Sequence, residues 1–115
     1  LAVIKNISPV EVCRLNEESG GVILIDVGTE SEFGKGRAAI AQNIPLQALS
    51  AAALDARGIH ASDPVFVISM NRDQARKACE LLLDYGYEHV HLVEGGTRAW
   101  VRLGLANCRK TGRGS

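Results

Sequence analysis

The chain of 115 residues reads as an α/β domain: a mainly parallel sheet covered by helices on both faces. Three observations predict this. Short apolar runs alternate with helix-length segments, the pattern of strands joined by crossover helices. The run VILIDV (22–27) is apolar without alternation, as a strand buried on both faces must be. Helix signals stand where the pattern needs them, with Ser or Thr capping boxes at starts and glycine at ends.

The elements follow in order. SPVE (8–11) is a capping box with proline at the first helical position, and it starts a helix to about Asn16. Gly20 and Gly21 end that region, and the strand 22–27 closes on Asp26. TESE (29–32) is a second capping box, with Glu32 reaching back to the cap, for a short helix that stops near Gly34–Gly36. QNIP (42–45) is a short extended piece, because Pro45 biases Ile44 toward β. Leu46 to about Arg57 is Ala-rich and helical, ended by Gly58. PVFVIS (64–69) is a strand. A helix from about Gln74 to Tyr85 then puts Ala75, Ala78, Cys79 and Leu82 on one stripe. Strand 89–93 and a last helix within 95–104 complete the fold, with Trp100 and Ala99 expected in the core. The domain is expected to span residues 1–106, and 107–115 a flexible basic tail.

Composition narrows the function. At 46% hydrophobic and 23% charged, the chain is an ordinary globular domain. Its 13 basic and 13 acidic residues cancel, which argues against nucleic acid as partner. Apolar runs such as Val22–Ile25 are too short to span a bilayer, and no secretory leader pattern is visible. Three cysteines, an odd number with no CxxC spacing, fit a reducing, cytoplasmic setting with no disulfide framework and no zinc site. His89 and His91 point to one face of a strand but lack an evident third ligand, so no metal and no cofactor are expected. Arg109, Lys110 and Arg113 make a basic stretch that would suit the cytoplasmic side of a membrane helix in a longer chain, or a simple tail.

Ligands of parallel α/β sheets bind at the carboxyl ends of the strands. That end holds Asp26 and the loop Ser69, Met70, Asn71, Arg72, Asp73, Gln74. Amides at a helix N-terminus attract anions, and Arg72 would add to that. Asp73 is read as the helix cap, its carboxylate occupying the anion position. Cys79 lies on the core stripe and is expected to be inert. Cys13 is read as a packing residue, and Cys108 as the exposed thiol.

LIDVGTESEF, AQNIPL, the strand–loop–helix at 65–82 and GYEHVHLVEGGTRAW, in this order from about Ile7 to Leu105, resemble the rhodanese-like (sulfurtransferase) domain family. The resemblance implies a central five-stranded parallel sheet. It also implies a catalytic cysteine at the start of the loop after the fourth strand, where sulfane sulfur is held as a persulfide and passed to cyanide or a thiol. That position falls on Ser69 here. The usual loop glycine falls on Arg72, the usual arginine on Gln74, the arginine that commonly follows DV on Gly28, and the histidine of the GH-I segment on Arg37. Asp26 keeps its family place, bonding loop amides. A side chain at Arg72 restricts φ, so a loop of altered course or partial disorder is expected.

Two function classes follow from the resemblance. One is a module without sulfurtransferase activity, binding a protein partner or a small anion. The other is a sulfurtransferase whose cysteine has been replaced by Ser69, although Asn71 to Gln74 also depart from the family pattern. A phosphatase, which one related class provides, needs both the cysteine and the loop arginine, and Gln74 fails that requirement.

Overall fold

The structure, a computed structural model, describes residues 2–105 and Cys108. The expected basic tail, with Arg109, Lys110 and Arg113, therefore lies outside the described residues apart from Cys108. The elements are β1 (Ile4–Ile7), α1 (Pro9–Ser19), β2 (Ile23–Asp26), α2 (Glu30–Lys35), β3 (Gln42–Asn43), a 3-10 turn (Leu46–Ala48), α3 (Ala51–Ala56), β4 (Val65–Ile68), α4 (Arg72–Asp84), β5 (Val90–Val93) and α5 (Gly96–Arg102). The five strands are all parallel and lie in the order β1-β5-β4-β2-β3.

Strand alternation sorts the core into two layers. In β4, Val65 and Val67 join Ile25, Leu54, Ala78, Cys79, Leu82 and Leu92 on the side of α3 and α4. Phe66 and Ile68 join Val12, Leu24, Val93 and Trp100 on the side of α1 and α5. Both faces of β4 are covered, so all four of its residues are buried and none needs to be polar. Sequential parallel strands need crossovers, and the segments holding α1 to α4 supply them, while α5 follows the last strand.

Several boundaries differ from the sequence expectation, each for a local reason. β1 is an added edge strand: Ile4 and Ile7 are half-buried while Lys5 and Asn6 are exposed, and its register is set by β5 (Ile4↔Val90, Ile7↔Val93). α1 runs on to Ser19 and stops at Gly20, which adopts the left-handed conformation at φ 83°. The expected helix 46–57 breaks in two. Leu49 turns extended and buries in the core, and Ser50 restarts the helix by accepting from Ala53 N at 3.0 Å. α4 begins two residues before Gln74, at Arg72.

The cysteine expectation is corrected. Cys13 on α1 is joined in a disulfide to Cys108, with the two Cα atoms 5.7 Å apart. Cys108 is 2% exposed and belongs to the α1/α5 core layer, so it is neither a free thiol nor an exposed one. Cys79 is the free cysteine among the described residues, and it is fully buried. No helix among the described residues is long and apolar enough to cross a membrane.

Candidate functional site

The loop between β4 and α4 sits at the carboxyl edge of the sheet. β4 ends at Ile68, whose carbonyl accepts from Val27 N at 3.1 Å, so the exits of β2 and β4 are tied together. Ser69 follows and is 2% exposed. Its Oγ accepts from Asn71 N at 3.0 Å and donates to Gln74 Oε1 at 2.7 Å. The proton and one lone pair are thus used inside the loop. An amide oxygen is not a base, so the hydroxyl has no group here that would take its proton.

The helix cap is Asn71, whose Oδ1 accepts from Gln74 N at 3.0 Å. This corrects the expectation for Asp73, which stands exposed in the first turn and caps nothing. Asparagine precedes the first helical residue with extended backbone, where a side-chain acceptor reaches the third amide; Asp73, inside the helix, cannot make that reach. Arg72 is the first helical residue, and no non-glycine residue among those described has positive φ. The early start of α4 therefore absorbs the loop substitution without backbone strain.

The opposite wall of the site is the start of α5. Thr97 N donates to Ser69 O at 3.1 Å. A Cβ on Gly96 would lie 2.2 Å from that same carbonyl oxygen, and Gly96 holds φ at +60°. Only glycine allows this approach, so the second glycine of the GG pair docks α5 onto the loop rather than merely turning the chain.

Between these walls lies a pocket of about 500 Å³. Ser69, Met70 and Arg72 line it from the loop, and Glu94, Gly96 and Arg98 from the β5–α5 side. Asn71 and Gln74 hold the loop, and neither they nor the exposed Asp73 line the pocket. Glu94 and Arg98 escaped the sequence reading. They flank the glycine pair immediately past β5, so the rule that ligands gather past strand carboxyl ends is the signal that would have found them. The pocket carries two guanidiniums against one carboxylate, all exposed.

Asp26 stands apart from this pocket, beside Ile68 in the β2–β4 register. It is 3% exposed and its Oδ1 accepts from Gly28 N at 2.9 Å. Burial pushes its carboxyl up, the Gly28 amide pulls it down, and nearby Glu32 pushes it up again. Glu32 completes the α2 capping box with Thr29. A Cβ at Gly28 would sit 3.0 Å from Glu32 Oε1 and 3.1 Å from Asp26 Oδ1, which makes this corner tight for a side chain. Arg37 lies over the Phe33 ring at 4.7 Å and is not directed at the pocket lining.

The remaining candidates are placed elsewhere. Burial pushes the Cys79 thiol up to about 12, so it stays protonated at neutral pH. His91 stacks on Phe66 at 4.5 Å between ring centroids, its Nδ1 lies 3.2 Å from Val65 O, and burial holds it below the usual histidine range. His89 precedes β5 and is exposed, with Nε2 3.9 Å from Glu88 Oε1. Both imidazoles nevertheless line a second pocket, with Phe66 and Asp63, and no cluster of three metal-ligating side chains occurs among the described residues.

Comparison with known proteins agrees with this geometry. A profile described as "Rhodanese-like domain" matches residues 9–103. Among solved structures, a thiosulfate sulfurtransferase from Pseudomonas aeruginosa is similar at 26% identity and a TM-score of 0.80, over 87% of this chain and 19% of that one. The chain therefore spans about a fifth of that protein. A rhodanese-like domain protein from Staphylococcus aureus is 26% identical with a TM-score of 0.68, over 84% of this chain and 90% of that one. The polysulfide-sulfur transferase homodimer of Wolinella succinogenes, at 24% identity, shares the fold with a TM-score of 0.74 over 88% of this chain and 75% of its own.

Proposed function

The chain belongs to the rhodanese-like domain family, and we propose that within it this protein is a binding module that does not carry sulfur. The observation that supports this most strongly is the state of Ser69. It occupies the position the resemblance gives to the persulfide-forming cysteine, and its hydroxyl is spent on Asn71 N and Gln74 Oε1. A persulfide needs a thiolate, whose ordinary pKa of about 8.5 falls readily in such a loop. A serine hydroxyl is far more basic and offers no sulfur for an S–S bond. Neither other source of a thiol stands in the pocket: Cys79 is on the buried stripe of α4, and Cys13 and Cys108 are paired with each other.

The pocket retains what a ligand would need. It has about 500 Å³, and Arg72 and Arg98 face it with Glu94. An anionic small molecule or an acidic segment of a partner protein fits that balance, since guanidiniums recognise carboxylate and sulfur oxyanions in a planar, two-bond geometry.

Thiosulfate serves as probe for both halves of the reading. Supplied with thiosulfate and cyanide, the protein is expected to form no thiocyanate above a protein-free control. Thiosulfate itself is expected to bind weakly, with affinity falling as salt rises and at least tenfold weaker binding in the double variant Arg72→Ala, Arg98→Ala. Thiocyanate formation abolished by Ser69→Ala would overturn the proposal. Binding that ignores both arginines would overturn the assignment of the pocket.

A further inference from the structure

We propose that Cys13 and Cys108 form a reversible redox latch that fastens the chain beyond α5 to α1. The pair is preorganised. α1 and α5 pack on the same face of the sheet, and Val12, Trp100 and Cys108 share one buried layer there, with Cys13 packed against it. The 5.7 Å between the two Cα atoms lies inside the range a disulfide spans without backbone movement. Cys108 N donates to Leu105 O at 2.9 Å, which holds Cys108 close to the end of α5.

Three features make the pair suited to a switch. The cysteines are 95 residues apart in sequence, so the bond closes almost the whole domain into one loop and strongly restrains the unfolded chain. Cys13 is partly buried while Cys108 is 2% exposed, so Cys13 is the more accessible partner for an external thiol or disulfide. Cys79 lies in the other core layer, across the sheet, and cannot compete for either partner without unfolding.

The chemistry is thiol–disulfide exchange with a low-molecular-weight disulfide. The thiolate of one cysteine attacks that disulfide, forming a mixed disulfide and releasing one small thiolate. The second cysteine's thiolate then attacks the protein sulfur, forming the Cys13–Cys108 bond and releasing the second small thiolate. Two protein thiols are oxidised and one small disulfide is reduced to two thiols. In a strongly reducing compartment the reverse reaction opens the latch. Because α5 carries Gly96 and Arg98 at its other end, closing the latch also braces one wall of the pocket. The latch itself does not depend on what the pocket binds.

The test uses the whole chain equilibrated with oxidised or with reduced glutathione, then unfolded and alkylated. Mass spectrometry is expected to count one alkylated cysteine, Cys79, in the oxidised sample and three in the reduced one. The melting temperature is expected to drop on reduction by roughly 10 °C or more. The drop should be absent in Cys13→Ser and in Cys108→Ser. Three alkylated cysteines after oxidation, a Cys79-containing linkage, or a melting temperature indifferent to reduction would each overturn the latch. Should a serine variant fail to fold, the wild-type comparison alone decides.

Discussion

At the scale of single residues, the polar side chains at the strand exits are held by local hydrogen bonds. Ser69 is the clearest instance, but Asp26 shows the same economy. Its buried carboxylate accepts from Gly28 N, and burial is the largest influence on it, raising its pKa. A raised pKa means the folded state holds the proton more tightly than the unfolded state. Stability from this group is therefore fully present below the ordinary aspartate range and is lost as pH rises through that range toward the folded value. Asp26→Asn keeps an oxygen for the Gly28 amide and removes the charge. Thermal unfolding is expected to show Asp26→Asn more stable than wild type at neutral pH, with the difference vanishing near about pH 3. A variant less stable at neutral pH would mean that the ionised carboxylate is worth more than its burial costs.

At the scale of elements, α4 carries the site because its first turn is capped by Asn71 rather than by Asp73. Asn71→Ala is expected to cost about 1 kcal/mol of unfolding free energy, and Asp73→Ala within about 0.5 kcal/mol of nothing. Denaturant titration of the two variants separates them, and equal losses would restore Asp73 as a cap. The elements legible in the sequence are those fixed by local chemistry. The Thr29–Glu32 capping box, the apolar stripe Ala75–Ala78–Cys79–Leu82 and the buried runs of β2 and β4 all appear in the structure. The misread ones depend on distant contacts. β1 has only two apolar residues, and its pairing partner β5 lies more than eighty residues on, at Ile4↔Val90. The break at Leu49 was hidden because Ala-rich sequence favours helix on both sides. What decides it is the burial of Leu49 and the Ser50 cap.

At the scale of the whole molecule, the parallel sheet gathers the strand exits of β1, β4 and β5 at one edge, and the candidate pocket takes residues from all three exits. The loop residues of this pocket could be named from sequence, because one stretch of chain holds them. Arg98 and Glu94 could not, since only the β4–β5 pairing brings them opposite Arg72. The Cys13–Cys108 pair was hidden for the same reason: an odd cysteine count conceals one pair and one buried thiol, and only the α1/α5 packing shows which is which.

The central proposal, that the family's frame is kept while Ser69 leaves the loop without a thiol to carry sulfur, is tested most directly by intact-mass measurement. Wild type and Ser69→Cys are incubated with thiosulfate and desalted without reductant. The account predicts an unchanged mass for the wild-type chain. It predicts a gain of one sulfur atom, removed by cyanide, for Ser69→Cys, where a thiol replaces the hydroxyl at the head of α4. A cyanide-labile sulfur on the wild-type chain would contradict the account and place a working thiol outside the Ser69 pocket.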